Sequence, residues 1–233
     1  MTSTTSSREQ REQWVRYILM GITAIAYVIA WISFSVPFVK ILPLFVSLFV
    51  MMLQAKVSRF GYLLGGVNSV LYAIIYIITG IYASAASALL FSFPIQIVTF
   101  LRWRKNSYEK STILRRMSAK GRILSLLLFL VAWGVTLGVL MLSGSDFAIL
   151  DTSVSLLGIL VSVLVMLAYI EYAPLWLLSS ILSLALNIQV TMSDITFLPY
   201  TISAVYNLLC TIYAFYNVTK LYRIQNSQKG EII

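Results

Sequence analysis

In a chain of 233 residues that is 60% hydrophobic and 11% charged, polar side chains are too few to clothe a water-soluble globule of that size. The mean hydropathy of +0.89 agrees, and at about 20 residues per span there is room for roughly seven or eight membrane helices and no sizeable soluble domain. The net charge of +9 sits at the ends of apolar runs, which argues for membrane topology and against nucleic-acid binding; the lack of histidine removes histidine catalysis, metal sites and proton relays, and the single Cys210 excludes an intrachain disulfide.

Residues 1–16, rich in Ser and Thr and then in Arg, Glu and Gln, read as a cytoplasmic tail. A first span is predicted over 17–36, too long for a signal-peptide core and without a small-residue cleavage site. Pro37 and Lys40 interrupt the apolar run, and a short second span follows from Ile41 to Leu53, about 16 residues when counted from Phe38. Gln54 to Arg59 is a polar turn, Phe60 to Thr79 the third span, Gly80 a tight connection, and Ala83 to Leu101 the fourth span. The stretch 102–122 carries eight Lys and Arg against one acid, Glu109, and reads as a basic cytoplasmic loop. The fifth span, 123–142, leads into the acidic segment 143–151. A sixth span runs over 152–170, where Glu171 and Pro174 mark its end, and a seventh over Leu175 to Val190. After Asp194 the eighth span, 197–218, gives way to a second cytoplasmic tail, 219–233.

With eight spans, 16 of the 17 Lys and Arg fall on the side of both termini, while Lys40, Asp146, Asp151 and Asp194 fall opposite, so both termini are predicted cytoplasmic. A seven-span alternative without the second segment puts the two halves on opposite sides and spoils this sorting. Residues 38–101 and 152–218 each hold three spans, joined by the single span 123–142, so both triplets point the same way, as in a parallel transporter repeat. Tyr62-Leu-Leu-Gly-Gly in the first answers to Trp176-Leu-Leu-Ser-Ser in the second. Two ordinary helix bundles with chance similarity are the alternative.

Polar side chains in a hydrocarbon zone are costly and tend to face a cavity or another helix. Asn68, Tyr72 and Tyr76 share one face of the third span at four-residue spacing. Ser92, Gln96 and Thr99 form a stripe in the fourth, Trp176, Ser180, Ser183 and Asn187 in the seventh, and Ser203, Asn207, Cys210 and Thr211 in the eighth, with Tyr206 and Tyr213 on its flank. Close packing of small residues and interhelical amide bonds explain such stripes as well as a cavity does. For the amides Asn68, Gln96, Asn187 and Asn207 convergence on a cavity is the expectation, and Trp14 and Trp103 read as interface aromatics. Rings with neutral amides and hydroxyls suit a flat, polar, uncharged or singly charged solute. No acid lies mid-span, which points to facilitated diffusion rather than proton pumping and leaves ion coupling through hydroxyls open. An intramembrane enzyme has no histidine, mid-span acid or metal-ligand cluster to work with; a solute-binding subunit of a larger transporter is the remaining alternative.

Phe60-Gly61, Gly65, Asn68, Tyr72, Gly80-Ile81-Tyr82-Ala83, Phe91, Pro94 and Trp103, with Trp176-Leu-Leu and the eight-span plan, resemble the Pnu (PnuC-like) family of bacterial vitamin transporters, best known for nicotinamide riboside uptake. The resemblance implies an all-α integral membrane protein of the bacterial inner membrane. Its eight transmembrane helices would be arranged as a three-one-three, SWEET-like core plus an extra N-terminal helix, often as a homotrimer, with no cofactor. It further implies that a cytoplasmic kinase traps the entering vitamin by phosphorylation. The solute path is expected to involve Asn68, Tyr72, Gln96, Trp176, Asn187, Tyr206 and Asn207. The family pattern adds Ser179 and Ser183, where nicotinamide riboside members carry Trp and Asn, and Tyr213, which stands for a family tryptophan. These departures keep thiamine, riboflavin and other nucleosides open as solutes.

Overall fold

The computed structural model describes residues 3–34, 38–78, 88–142 and 148–230. The expected turn at Gly80, the start of the fourth span and most of the acidic segment 143–151 lie outside these residues. Among the described residues eight α-helices follow one another: α1 Ser3–Phe34, α2 Phe38–Ala55, α3 Phe60–Ile78, α4 Phe93–Lys105 after a π-helical turn Ala88–Ser92, α5 Ala119–Leu142, α6 Ala148–Met166, α7 Tyr172–Ser193 and α8 Leu198–Gly230. Among the described residues five have the length and apolarity to cross a membrane, namely α1, α5, α6, α7 and α8, while α2 and α3 carry shorter apolar stretches, Ile41–Ala55 and Phe60–Ile74.

Helix and apolar run are not the same thing, and the ends show it. The Arg-Glu-Gln repeats of the first tail are good helix formers, and α1 begins at Ser3; α8 likewise runs past the apolar run to Gly230. Along α1, Ile18, Ile22, Ile25, Ile29 and Ile32 recur every three or four residues and are all exposed, whereas Thr23, Tyr27 and Ala30 on the other face are buried. Pro174 does not end a helix. It sits in the first turn of α7, where its missing N–H costs no bond, and α6 is stopped earlier by Ala168, whose φ of 58° is left-handed.

The α2–α3 and α6–α7 turns are built alike. Val57 (φ 54°) follows α2 as Ala168 follows α6. In the first turn Ser58 N–H donates to Leu53 O at 3.0 Å and Val57 N–H to Gln54 O at 2.9 Å; in the second Tyr169 N–H donates to Leu164 O and Ala168 N–H to Val165 O, both at 2.9 Å. Both are helix ends closed by a left-handed residue. Counted from these turns, Trp176 answers to Gly65 rather than to Tyr62, about one helical turn from the match read in the sequence.

The basic stretch 102–122 is an ordered structure. α4 continues to Lys105, and strands β1 Ser107–Tyr108 and β2 Ser111–Thr112 form an antiparallel hairpin. Its backbone holds both turns: Arg59 N–H donates to Lys110 O at 3.0 Å, and Ile170 N–H to Arg115 O at 2.9 Å. Gln225 of α8 behaves as a further backbone partner, accepting from Leu114 N–H at 2.9 Å and donating to Thr112 O at 3.0 Å. Trp103 is a correction: it is fully buried rather than an interface aromatic, with Nε1 on Val165 O at 2.9 Å and its ring against Tyr62 at 4.7 Å, while Trp14 is 69% exposed.

Contacts between helices close a ring, in which α2 packs on α3, α3 on α4, α4 on α6, α6 on α7, α7 on α8, and α8 back on α2. Outside the ring, α1 lies against α2 and α8, and α5 lies against α6, to which Trp133 Nε1 donates at Ser153 Oγ, 2.9 Å.

Candidate functional site

All six helices of the ring contribute to one cavity of about 260 Å³. Gln54 enters from the last turn of α2, Tyr62 from α3, and Ile95, Gln96 and Thr99 from α4. Opposite them stand Val154, Gly158, Val161, Ser162 and Val165 of α6, Trp176, Ser179 and Ser183 of α7, and Asn207 of α8. The α6 residues recur at three- and four-residue spacing, which sets them on one helix face.

Small residues decide how the polar groups lie. A Cβ on Gly65 would come within 2.9 Å of Gln96 Oε1, so the bare glycine lets the Gln96 carboxamide lie across α3. Gln54 Nε2 donates to Gln96 Oε1 at 3.5 Å, the long limit for such a bond. On the other side Asn207 Nδ2 donates to Ser180 Oγ at 3.2 Å, and Ser180 donates in turn to Trp176 O at 2.9 Å. Thr99 and Ser162 donate to carbonyls of their own helices, Ile95 O and Gly158 O, both at 2.7 Å. Their lone pairs stay available to a guest, because each of these two hydroxyl protons is already spent on its own helix. Among the described residues the lining holds an indole, a phenol, three amides and four hydroxyls, and no charged side chain.

Of the residues singled out in the sequence, Gln96, Thr99, Trp176, Ser179, Ser183 and Asn207 meet in this cavity. Asn68 is buried between α3 and α2, where Nδ2 donates to Ser47 Oγ at 2.8 Å, and Tyr72 lies one turn further along α3, half-buried. Asn187 donates to Ser183 O at 2.8 Å, one turn beyond the lining. Tyr206 faces α2, its hydroxyl on Leu48 O at 3.2 Å, and Tyr213 lies under the Arg16 guanidinium, 4.3 Å from ring centre to carbon. Gln54, Tyr62 and the α6 face were missed. Gln54 reads as part of a turn because it is polar and next to Lys56, and α6 presents only Gly158 and Ser162, four residues apart, as a signal.

The model of a family described as nicotinamide mononucleotide transporter matches residues 37–222, most of the chain. The chain belongs to that family. It is a multi-pass membrane protein of a transporter family rather than an enzyme family. The crystal structure of the vitamin B3 transporter PnuC has the same fold, with a TM-score of 0.72 over 90% of this chain and 91% of that chain, at 22% identity. No protein of curated function matches the sequence. The matched region takes in the ring, with α8 as far as residue 222, and α1 lies outside it.

Proposed function

We propose that the chain is a facilitator for an unphosphorylated vitamin or nucleoside, of the nicotinamide riboside type, and that the six-helix cavity is its solute site. The observation that carries this reading is the neutral lining. A phosphate dianion in the cavity would meet no Lys or Arg among the described residues and would lose its hydration uncompensated, whereas a ribosyl ring system finds the faces of Trp176 and Tyr62 and the edges of Gln54, Gln96 and Asn207. About 260 Å³ is close to the lower end of ordinary ligand pockets, the scale of a nucleoside. Among the described residues no carboxylate lines the site to carry a coupling proton, which supports facilitated diffusion, with direction supplied by a cytoplasmic kinase that phosphorylates the solute and so bars its return.

The matching α2–α3 and α6–α7 turns support a three-one-three, SWEET-like arrangement: α2, α3 and α4 as one parallel repeat, α6, α7 and α8 as the other, α5 as the linker and α1 as the added helix. The basic hairpin end, with both tails, faces the cytoplasm of a bacterial inner membrane by the positive-inside bias, and the assembly is a homo-oligomer, a trimer as in the family it resembles.

One observation favours a second reading within the class. Ser179 and Ser183 line the cavity where nicotinamide riboside members carry Trp and Asn, so the space released suits thiamine, riboflavin or another nucleoside. Purified chain in liposomes, offered each labelled solute with and without an imposed proton gradient, tests both readings. Saturable uptake of one solute, equal under the two conditions, is expected; uptake only in the presence of a second membrane protein would make the chain a binding subunit instead.

A further inference from the structure

A second recess, of about 790 Å³, lies at the basic end, outside the ring cavity. Among the described residues four cations from four places line it, Arg16 of α1, Lys56 of the α2–α3 turn, Lys110 of the hairpin and Lys220 of α8, against the single carboxylate of Glu109. Two of them rest on aromatic rings, and the backbone of a third is pinned. The Arg16 guanidinium rests on the Tyr213 ring at 4.3 Å, Lys56 Nζ stands 5.3 Å over the Tyr17 ring, and the Lys110 carbonyl is fixed by Arg59 N–H. A ring orients a cation without cancelling its charge. Among the described residues Lys56, Lys110 and Lys220 form no ion pair.

A narrow crevice of about 40 Å³ continues inward from the same two residues, Arg16 and Tyr213, between α1, α2 and α8, and its walls include Leu19, Met52, Ala55 and Leu209. The site is thus amphipathic along one line, with cations at the membrane's edge and an apolar slot beneath them. On the outer faces beside it Ile18, Ile22, Ile212 and Tyr216 are exposed. We propose that the recess binds a phosphate-bearing anion, supplied by an anionic phospholipid whose head group sits among the four cations and whose chains lie along the exposed apolar faces of α1 and α8 beside it. Such a lipid would further tie α1, which lies outside the ring against α2 and α8, to α8 and the hairpin. Each cation near a phosphate head group contributes about 1 kcal/mol, roughly a fivefold change in binding.

The test uses the whole chain in nanodiscs of phosphatidylcholine with or without phosphatidylglycerol, reading retained lipid by native mass spectrometry and the unfolding temperature. Phosphatidylglycerol is expected to be retained and to raise the unfolding temperature. Lys56→Gln with Lys220→Gln should weaken retention about 30-fold, and Lys120→Gln, on α5 away from the recess, should leave it unchanged. Equal retention by the double variant overturns the proposal. So does equal stabilisation by inorganic phosphate or glycerol phosphate at the same concentration, which would make this a site for soluble phosphates. Should the double variant fail to fold, the phosphatidylglycerol advantage of the unmodified chain must fall as NaCl is raised, and an advantage indifferent to salt overturns the proposal too.

Discussion

Gly65 and the carboxamide of Gln96 share one niche: a Cβ at Gly65 would lie 2.9 Å from Gln96 Oε1 and 3.1 Å from its Nε2. The obstacle is the far end of a flexible side chain, so Gly65→Ala is expected to fold and to turn Gln96 away from Gln54, weakening solute binding about tenfold. Gly61 is the contrast. Its Cβ would meet the backbone nitrogen of Gln54 at 2.8 Å, which cannot step aside, so Gly61→Ala should cost about 1 to 3 kcal/mol of stability. Thermal unfolding and solute titration of both variants separate the two effects.

Gln225 is buried and answers two backbone groups of the hairpin segment, Leu114 N–H and Thr112 O. Gln225→Leu leaves both without their partner, at roughly 1 to 3 kcal/mol each, and is expected to lower the unfolding temperature markedly. An unfolding curve unchanged by the substitution would show that the hairpin does not need α8.

The Glu171 carboxylate accepts from Arg122 Nη2 at 2.7 Å and from Met117 N–H at 3.2 Å, joining α7 to the start of α5. With Arg122 42% exposed the ion pair itself is worth only about 0.5 to 1 kcal/mol. Arg122→Gln should therefore shift stability slightly and lose its effect at high salt. Glu171→Gln, which also weakens the bond to Met117, should cost more at any salt concentration.

Ser179→Trp with Ser183→Asn restores the bulk that nicotinamide riboside members carry. It should narrow the 260 Å³ cavity and reduce binding of the bulkiest accepted solute at least about tenfold, with the fold kept. Binding unchanged across the solute panel would remove the two serines from the solute path.

The helices were legible because hydrophobic runs broken by Lys40, Gly80, the basic stretch and Asp194 mark them directly, and eight helices follow in the order expected. Their ends were less so. Ala168 stops α6 by a left-handed backbone that composition does not signal, and Pro174, which usually ends helices, here begins one. Within the site, Gln96 and Asn207 stood out as amides in apolar runs. Asn68 looked the same in sequence, yet its face of α3 turns to Ser47 of α2, because a polar stripe shows a helix face and not what that face meets. Trp103 shows the same limit, since a tryptophan beside a basic loop reads as an interface ring until Val165 O is seen beneath it.

The central claim is that the six-helix cavity takes an unphosphorylated solute. Quenching of the chain's five tryptophans, one of which, Trp176, lines the cavity, tests it most directly with matched pairs: nicotinamide riboside and its mononucleotide, thiamine and its phosphate, riboflavin and its phosphate. In the pair that binds, the unphosphorylated member should bind about a hundredfold more tightly or better, because the lining offers the phosphate no cation. Phosphorylated solute bound as tightly as its parent, with Asn207→Ala weakening both alike, would contradict the account.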